Sequence, residues 1–178
     1  MITKTQLTNF ENIEEKFADV VSSAEYHHLI SLFQKHEEIY VIANGGLHYV
    51  ASHMATDISR LVNSKHVHSF DSFGFITSSA NDYGFDSIFK RWIENCVPKE
   101  KKSLLVGLSC SGTSKNIINA FEYGKSLGWD TFLVSGKQPK IEIPNINLDV
   151  KHFHTVECFC LMLFYEIIHS LGGDCPVI

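Results

Sequence analysis

The sequence contains no apolar run that approaches the roughly 20 residues needed for a membrane-spanning helix. Its first residues, MITKTQLTNFENIEEKF, lack the apolar core of a signal peptide. Basic residues are also sparse: no cluster of Lys and Arg is longer than KEKK at 99–102, and the formal net charge is -5. Because phosphate backbones are bound by a concentrated basic face, nucleic acid is not an expected partner. These absences predict a cytoplasmic protein that binds neither a membrane nor a nucleic acid.

The five cysteines form an odd set without metal-finger spacing. Cys158 and Cys160 are two residues apart, so on a helix they would point to different sides. Reduced thiols in a cytoplasm account for this pattern most simply. No internal repeat, linker or low-complexity segment interrupts the 178 residues, of which 44% are apolar and 20% charged. The composition therefore predicts an ordinary globular chain with one main domain.

Apolar, β-branched runs alternate with stretches of helical periodicity along the chain. The runs predict strands at 39–43, 67–73, 103–109 and 131–136, with a last short strand at 148–150. The periodic stretches predict helices over 8–36 (with a second short helix at 25–35), 47–62, 83–96, 114–127 and 155–171. Such alternation is typical of an α/β fold with a doubly wound, flavodoxin-like or Rossmann-like parallel sheet flanked by helices. We expect a helical extension at 1–36 and the α/β domain at 37–178.

Two loops of unusual composition follow predicted strands. Asn44-Gly45-Gly46 ends the first strand, and its glycines would let backbone N–H groups approach a ligand closely. The stretch LSCSGTSKN ends the strand at 103–109 and brings four hydroxyl groups to a helix N-terminus (Ser109, Ser111, Thr113 and Ser114). Hydroxyl donors, free N–H groups and a helix dipole together suit a phosphate, although no GxxxxGK[ST] motif is present. The alternative is that these residues only cap the helix.

Three segments resemble the sugar isomerase (SIS) domain family, and its phosphoheptose isomerase branch in particular. LSCSGTSKN with the later TFLVSGK is similar to the phosphosugar loop of SIS domains. ANGGLHYVASHMATDISR resembles the segment of that branch which begins NGGS, and SANDYGFDSIFKRWIE resembles its ND-[FY]-G-F segment. The motifs occur in the family's order between about residue 30 and residue 171. The resemblance implies the SIS fold and a sugar phosphate as ligand.

The resemblance also implies roles for individual residues. Ser109, Ser111 and Ser114 would hold the phosphate, helped by backbone N–H groups that include those of Cys110 and Thr113. The remaining substrate-binding positions implied are Asn44, Gly45, Gly46, Asp82 and Glu157. Asp82 would contact a substrate hydroxyl or a neighbouring subunit. Leu47 stands where the branch usually has serine, which removes one hydroxyl contact.

The implied catalytic set departs from the family pattern. Asp57 takes the place of the glutamate that moves a proton between C1 and C2 of the sugar. The family's final histidine falls at Tyr165, whose ordinary pKa near 10 makes it a poor base at neutral pH, or at Phe164 if the alignment slips by one residue. His154 is the other candidate for the second acid/base. Zinc is bound by the histidine in some members, and His53, Asp57 and Glu157 would form its ligand set here.

The resemblance therefore predicts an aldose–ketose isomerase that converts sedoheptulose 7-phosphate to glycero-manno-heptose 7-phosphate through an enediol. The alternative is a non-catalytic SIS module that binds a phosphosugar or a protein of the replication-initiator type; the missing histidine and Leu47 favour it. In either case the family implies a homo-oligomer, a dimer or a tetramer, with sites between subunits. The apolar helices at the N-terminus and at 155–171 are consistent with this expectation.

Overall fold

The computed structural model describes residue 10, residues 12–174 and residues 176–177. Two helices precede the first strand: α1 (Ile13–Val21) and α2 (Ala24–Lys35). Strands and helices then alternate in the order β1 (Glu38–Ala43), α3 (Gly46–Leu61), β2 (His66–Ser69), α4 (Phe73–Tyr83), a 3₁₀ turn (Phe85–Ser87), α5 (Ile88–Cys96), β3 (Leu104–Ser109), α6 (Lys115–Ser126), β4 (Asp130–Ser135), β5 (Asn145–Asn147) and α7 (Phe153–Ser170).

The strands form one five-stranded sheet with the order β2-β1-β3-β4-β5. Every neighbouring pair of strands is parallel. This is the flavodoxin-like order, and it confirms the predicted α/β, doubly wound fold. The strand order reverses between β1 and β3, so the loops that follow these two strands lie beside each other at the carboxyl edge of the sheet. Ligands of such folds bind in the crevice at this reversal.

The core lies in two layers, one on each face of the sheet. Alternate residues of β3 point to opposite layers: Val106 belongs to the layer built with α2, α3 and α7, and Leu105 belongs to the layer built with α5 and α6. Gly107 lets α6 pack closely on β3, because a methyl group there would lie 2.6 Å from Phe121 Cζ and 2.7 Å from Ile117 Cγ2. Dense packing on both faces explains why β3 reads as a continuous apolar run.

The structure corrects the predicted strand at 67–73 and the predicted helix at 83–96. β2 ends at Ser69, and the chain turns into α4 behind Ser72, whose Oγ accepts a hydrogen bond from the Phe75 N–H at 3.4 Å. Gly84, with φ 84°, then ends α4, and α5 begins only at Ile88. The region predicted as a strand followed by one helix therefore contains two helices. The N-cap Ser72 begins the first of them, and Gly84, with its positive φ, separates it from the second.

The predicted strand at 148–150 was also wrong by three residues. β5 spans Asn145–Asn147 and pairs with Leu133–Ser135 of β4. The Leu148 and Val150 N–H groups still donate to the Ser135 and Gly136 carbonyls, both at 2.8 Å, but Asp149 has φ 48° and ends the extended backbone.

The predicted N-terminal helical region is two helices, because Ser23 caps α2 by accepting a hydrogen bond from Tyr26 N–H at 3.1 Å. The part of that prediction that covers residues 8, 9 and 11 lies outside the described residues, as do residues 1–9 of the predicted extension and Cys175. Leu29 and Phe33 of α2 pack in the same apolar layer as α7. The boundary at residue 36 stays a prediction.

Within the described ranges, no helix has both the length and the hydropathy that crossing a bilayer requires.

Candidate functional site

The loop that follows β3 is organised by its own hydroxyl groups. Ser109, the buried last residue of the strand, accepts a hydrogen bond from the Gly112 N–H at 3.1 Å, and its Oγ lies 3.1 Å from the Oγ of Ser114. Ser111 accepts from both the N–H and the Oγ1 of Thr113, at 3.2 and 3.0 Å. Ser111 and Thr113 are exposed, whereas Cys110 and Ser114 are half-buried. The four predicted hydroxyls therefore share one tight turn that opens to solvent at the sheet edge.

The hydroxyl at the N-cap position of helix α6 is not used to cap the helix. Ser114 is the N-cap residue of α6, yet its side chain makes no capping hydrogen bond. An N-cap serine normally satisfies one of the first N–H groups of the helix, but here the hydroxyl faces Ser109 instead. Gly112, with φ 68°, lies beneath the loop at 137–139, because a methyl group on it would come 3.0 Å from the Lys137 carbonyl oxygen. The helix N-terminus and its dipole thus remain available to an anion.

A pair of asparagines joins the two loops at the strand-order reversal. The Asn44 Nδ2 donates to Asn116 Oδ1 at 3.0 Å, and the Asn116 Nδ2 donates back to Asn44 Oδ1 at 2.8 Å. Asn116 is buried in the first turn of α6, and its Oδ1 also accepts from the Ile117 N–H at 3.0 Å. Sequence reasoning missed Asn116, although a polar residue at a buried position of the first helical turn was the available signal.

The carboxylate of Glu157 lies directly against Gly46. A methyl group on Gly46 would collide with Oε1, Cδ and Oε2 of Glu157, so only glycine leaves room for the carboxylate there. Burial and the nearby Glu157 charge raise the pKa of the Cys110 thiol. Burial also raises the pKa of the Cys160 thiol, and the charges of Cys110 and Glu157 raise it further. Both thiols are therefore protonated at neutral pH. The structure therefore brings Gly46, Cys110 and Glu157 together at the carboxyl edge of the sheet.

The other predicted acid/base residues form a separate cluster between α3 and α7. His53 Nε2 lies 3.1 Å from the Tyr165 hydroxyl and 3.6 Å from Asp57 Oδ2. Arg60 Nη2 donates to Asp57 Oδ1 at 3.1 Å, and the Asp57 side chain is only 11% exposed. Asp57 comes eleven residues after Gly46 on α3, which places it about 16 Å along the helix at 1.5 Å per residue. In one chain, Asp57 is thus remote from the loop at 109–114.

His154 and Asp82 occupy different surroundings. His154 lies in the first turn of α7, not in a loop before it as predicted, and its Nδ1 is 3.7 Å from Glu157 Oε2. Asp82 is exposed near the end of α4, where its Oδ1 accepts from the Asn81 Nδ2 at 2.9 Å. Leu47 is buried in the core. The hydroxyl contact that serine would supply at this position is therefore absent from the site.

The predicted zinc ligands do not come together in one chain. Among the residues that the structure describes, no three His, Cys, Asp or Glu side chains are grouped so that they could hold a metal ion. Glu157 lies at Gly46, while His53 and Asp57 lie farther along α3. A site of these three ligands from a single chain therefore does not fit the structure, and zinc stays a prediction.

The fold and the two joined loops define a class: a doubly wound α/β protein with its candidate ligand site at the strand-order reversal. The chain belongs to the SIS domain family, whose family model matches residues 5–136.

Individual relatives place it near one branch of that family. It is 25% identical to the phosphoheptose isomerase of Histophilus somni (strain 2336) over 179 residues, which cover 94% of this chain and 90% of that protein. It is 31% identical to the phosphoheptose isomerase of Syntrophotalea carbinolica over 152 residues, 76% of each chain. A solved phosphoheptose isomerase structure from Francisella tularensis shares the fold with a TM-score of 0.72 at 15% identity, covering 89% of this chain and 90% of that one. The predicted resemblance is thereby confirmed.

Proposed function

We propose that this protein is an aldose–ketose isomerase of sugar phosphates, which converts sedoheptulose 7-phosphate to glycero-manno-heptose 7-phosphate through an enediol. Similarity to a phosphoheptose isomerase over 94% of the chain supports the reaction class. The observation that carries the proposal is the loop at 109–114, whose N-cap hydroxyl is not used as a cap and which opens beside the Asn44-Gly45-Gly46 turn.

In this proposal the loop holds the phosphate and the sugar lies across the end of β1. The resemblance assigns proton transfer to Asp57, with Tyr165 or His154 as the second acid/base. Because Asp57 lies far from the loop of its own chain, this assignment requires a homodimer or homotetramer in which it serves a neighbouring site. Assembly, zinc and a cytoplasmic location remain parts of the proposal.

The test follows sedoheptulose 7-phosphate by NMR with the wild type and Ser114→Ala. Wild type should interconvert the two sugar phosphates. Ser114→Ala should bind substrate about tenfold more weakly or worse, since a hydrogen bond to a charged group contributes about 1.5–3 kcal/mol. Its free energy of unfolding should fall by no more than about 1 kcal/mol, because the substitution removes the hydrogen bond to Ser109 Oγ but no capping hydrogen bond. Ser126→Ala, at the other end of α6, is the matched control and should change neither binding nor turnover.

A binding module without catalysis is the second candidate, and the contact of Tyr165 with His53 favours it. Tyr165 occupies the family's histidine position, and its hydroxyl is hydrogen-bonded to His53 Nε2 at 3.1 Å. The hydroxyl is therefore already engaged within the chain. Wild type that binds the sugar phosphate but gives no product would support this reading. Absence of both binding and turnover would contradict both candidates.

A further inference from the structure

The side-chain amide of Asn116 has a fixed orientation in the first turn of α6. Its Oδ1 accepts a hydrogen bond from the Ile117 N–H at 3.0 Å, a donor that it shares with the Ser114 carbonyl. Because a backbone N–H can only donate, the amide atom that faces it must be the oxygen, and Nδ2 must lie on the other side. Asn116 is only 2% exposed, so its amide is held by protein groups rather than by solvent.

This orientation is passed on to Asn44, the residue that follows β1. Asn116 Nδ2 donates to Asn44 Oδ1 at 2.8 Å, and Asn44 Nδ2 donates to Asn116 Oδ1 at 3.0 Å. If the Asn44 amide were flipped, oxygen would face oxygen and N–H would face N–H, and both hydrogen bonds would be lost. Asn116 therefore selects one of the two orientations of the Asn44 amide.

The pairing leaves part of the Asn44 amide available to a ligand. An amide has two N–H donors and two oxygen lone pairs, and the pair uses one of each on Asn44. Among the described residues, the Asn44 side chain has no further hydrogen-bond partner. Asn44 is half-buried whereas Asn116 is buried, so a ligand can reach the unused donor and acceptor of Asn44. A sugar hydroxyl both donates and accepts, and it matches these two groups.

The position of Asn44 also fits a ligand whose phosphate lies at the loop 109–114. β1 and β3 are neighbouring parallel strands, and Asn44 follows β1 at the level of Ser109, the last residue of β3. Neighbouring strands are about 4.8 Å apart, a distance that the carbon chain of a sugar spans. A sugar phosphate can therefore place a hydroxyl at Asn44, whereas inorganic phosphate has no group that reaches so far.

We propose that Asn116 is a positioning residue: it orients the Asn44 amide so that one N–H and one oxygen lone pair meet a hydroxyl group of the sugar phosphate. This inference rests on the proposed function and names the contact that separates a sugar phosphate from phosphate alone. Asn116 itself does not touch the substrate, and its effect reaches the sugar only through Asn44. The role is independent of which subunit supplies the group that transfers the proton.

The experiment measures turnover and binding of sedoheptulose 7-phosphate, and binding of inorganic phosphate, by NMR in Asn116→Ala, Asn44→Ala and the double variant. Asn116→Ala should lower kcat/KM about fivefold to tenfold, the usual effect of lost neutral hydrogen bonds, while the affinity for inorganic phosphate stays within about threefold. Asn44→Ala should lose at least as much. The double variant should be no worse than Asn44→Ala, since Asn116 then has nothing left to orient.

Two further variants guard these comparisons. Asn116→Ser keeps a small polar group in the same turn but cannot pair with both groups of the Asn44 amide. It should give the same difference between the two ligands, even if Asn116→Ala fails to fold. Asn119→Ala is the matched control, because it removes an amide of the same helix that donates to the Asp86 carbonyl at 2.9 Å. It should change neither turnover nor the binding of either ligand.

Three results would overturn the inference alone. The first is unchanged kcat/KM in Asn116→Ala and Asn116→Ser. The second is an equal loss of affinity for inorganic phosphate and for the sugar phosphate, since the role would then be structural. The third is a double variant in which the two single losses multiply. A wild type that binds sugar phosphate without turnover would contradict the proposed isomerase instead, and the ratio of the two affinities would then test Asn116 in place of kcat/KM.

Discussion

Gly46 begins helix α3, and its missing side chain makes room for the Glu157 carboxylate. Gly46→Ala should separate stability from function, since alanine favours a helix by about 1 kcal/mol over glycine. The free energy of unfolding should change by no more than about 1 kcal/mol, because the far end of a flexible side chain can move aside. Turnover of the sugar phosphate should fall about tenfold or more, because a carboxylate that borders the proposed sugar site would be displaced by about 1 Å.

Urea unfolding and the NMR turnover assay measure these two effects separately. Gly74→Ala is the control, because nothing lies within 4 Å of a methyl group there. Full activity in Gly46→Ala would show that the position of Glu157 does not matter to the reaction.

The residues of the site differ in how far the sequence alone could reveal them. Ser109 to Ser114 are close in sequence, so their clustering at a helix N-terminus was visible before any fold was known. The contact of Gly46 with Glu157 joins residues that are distant in sequence and depends on how α7 packs, which no local pattern records. The same holds for Asn116 of α6, whose partner Asn44 lies in the loop after β1, 72 residues earlier in the chain.

Secondary-structure elements were predictable where packing on both faces leaves a strong pattern. β3 is buried throughout because α3 and α6 pack on its two faces, and all its residues before Ser109 are apolar or glycine. By contrast, α4 buries only Ser79 fully among its residues, so its sequence carries little amphipathic signal. β5 has three residues and is defined by its pairing with β4, not by its own composition.

The end of α2 is tied to the start of β4 by a charged cluster at the sheet edge opposite the site. Asp130 Oδ2 accepts from Lys35 Nζ at 2.6 Å and from His36 Nε2 at 2.7 Å. Burial alone would raise the pKa of Asp130, but the hydrogen bonds from Lys35 and His36 outweigh it and lower that pKa below its ordinary 3.8. Since the folded pKa is lowered, this carboxylate stabilises the fold above pH 3.8, and the contribution is lost as the pH falls through the folded value.

Asp130→Asn should therefore be less stable than wild type at pH 6, and the difference should shrink as the pH falls below the ordinary value of 3.8 and through the lowered pKa of Asp130. Urea unfolding across this pH range measures the effect. Asp19→Asn, which changes an exposed carboxylate of α1, should show no such dependence. A constant difference between Asp130→Asn and wild type down to pH 2 would contradict the assignment.

On the scale of the whole molecule, the candidate site and the charged cluster around Asp130 lie at opposite edges of one sheet. The joined loops and Glu157 lie at the carboxyl edge, and the cluster of Asp130 lies at the amino edge. Acidic unfolding and catalysis should therefore respond to different substitutions, because the two sets of residues share no contact among those described.

Exposed aromatic side chains on the outer surface argue for self-association. Phe73 at the start of α4 is 81% exposed and Tyr49 on α3 is 77% exposed, and His48, beside Tyr49, binds Asp71 at 3.1 Å. That hydrogen bond brings the two helix starts together, so the rings belong to one region of the surface. Large apolar groups exposed together mark an interface more often than a solvated face, and we expect a second copy of this chain to cover them.

Sedimentation velocity should accordingly show the wild type as a dimer or tetramer, and Tyr49→Ser with Phe73→Ser should shift it towards the monomer. Removing two interface aromatics weakens association because such residues contribute most of the binding energy of an interface. Glu122→Ser, on the exposed face of α6, should leave the oligomer intact. If the doubly substituted chain sediments like the wild type, the covered surface lies elsewhere. Turnover should fall together with the oligomer, because a base supplied by Asp57 acts at a neighbouring site. Turnover that survives in the monomer would contradict that assignment.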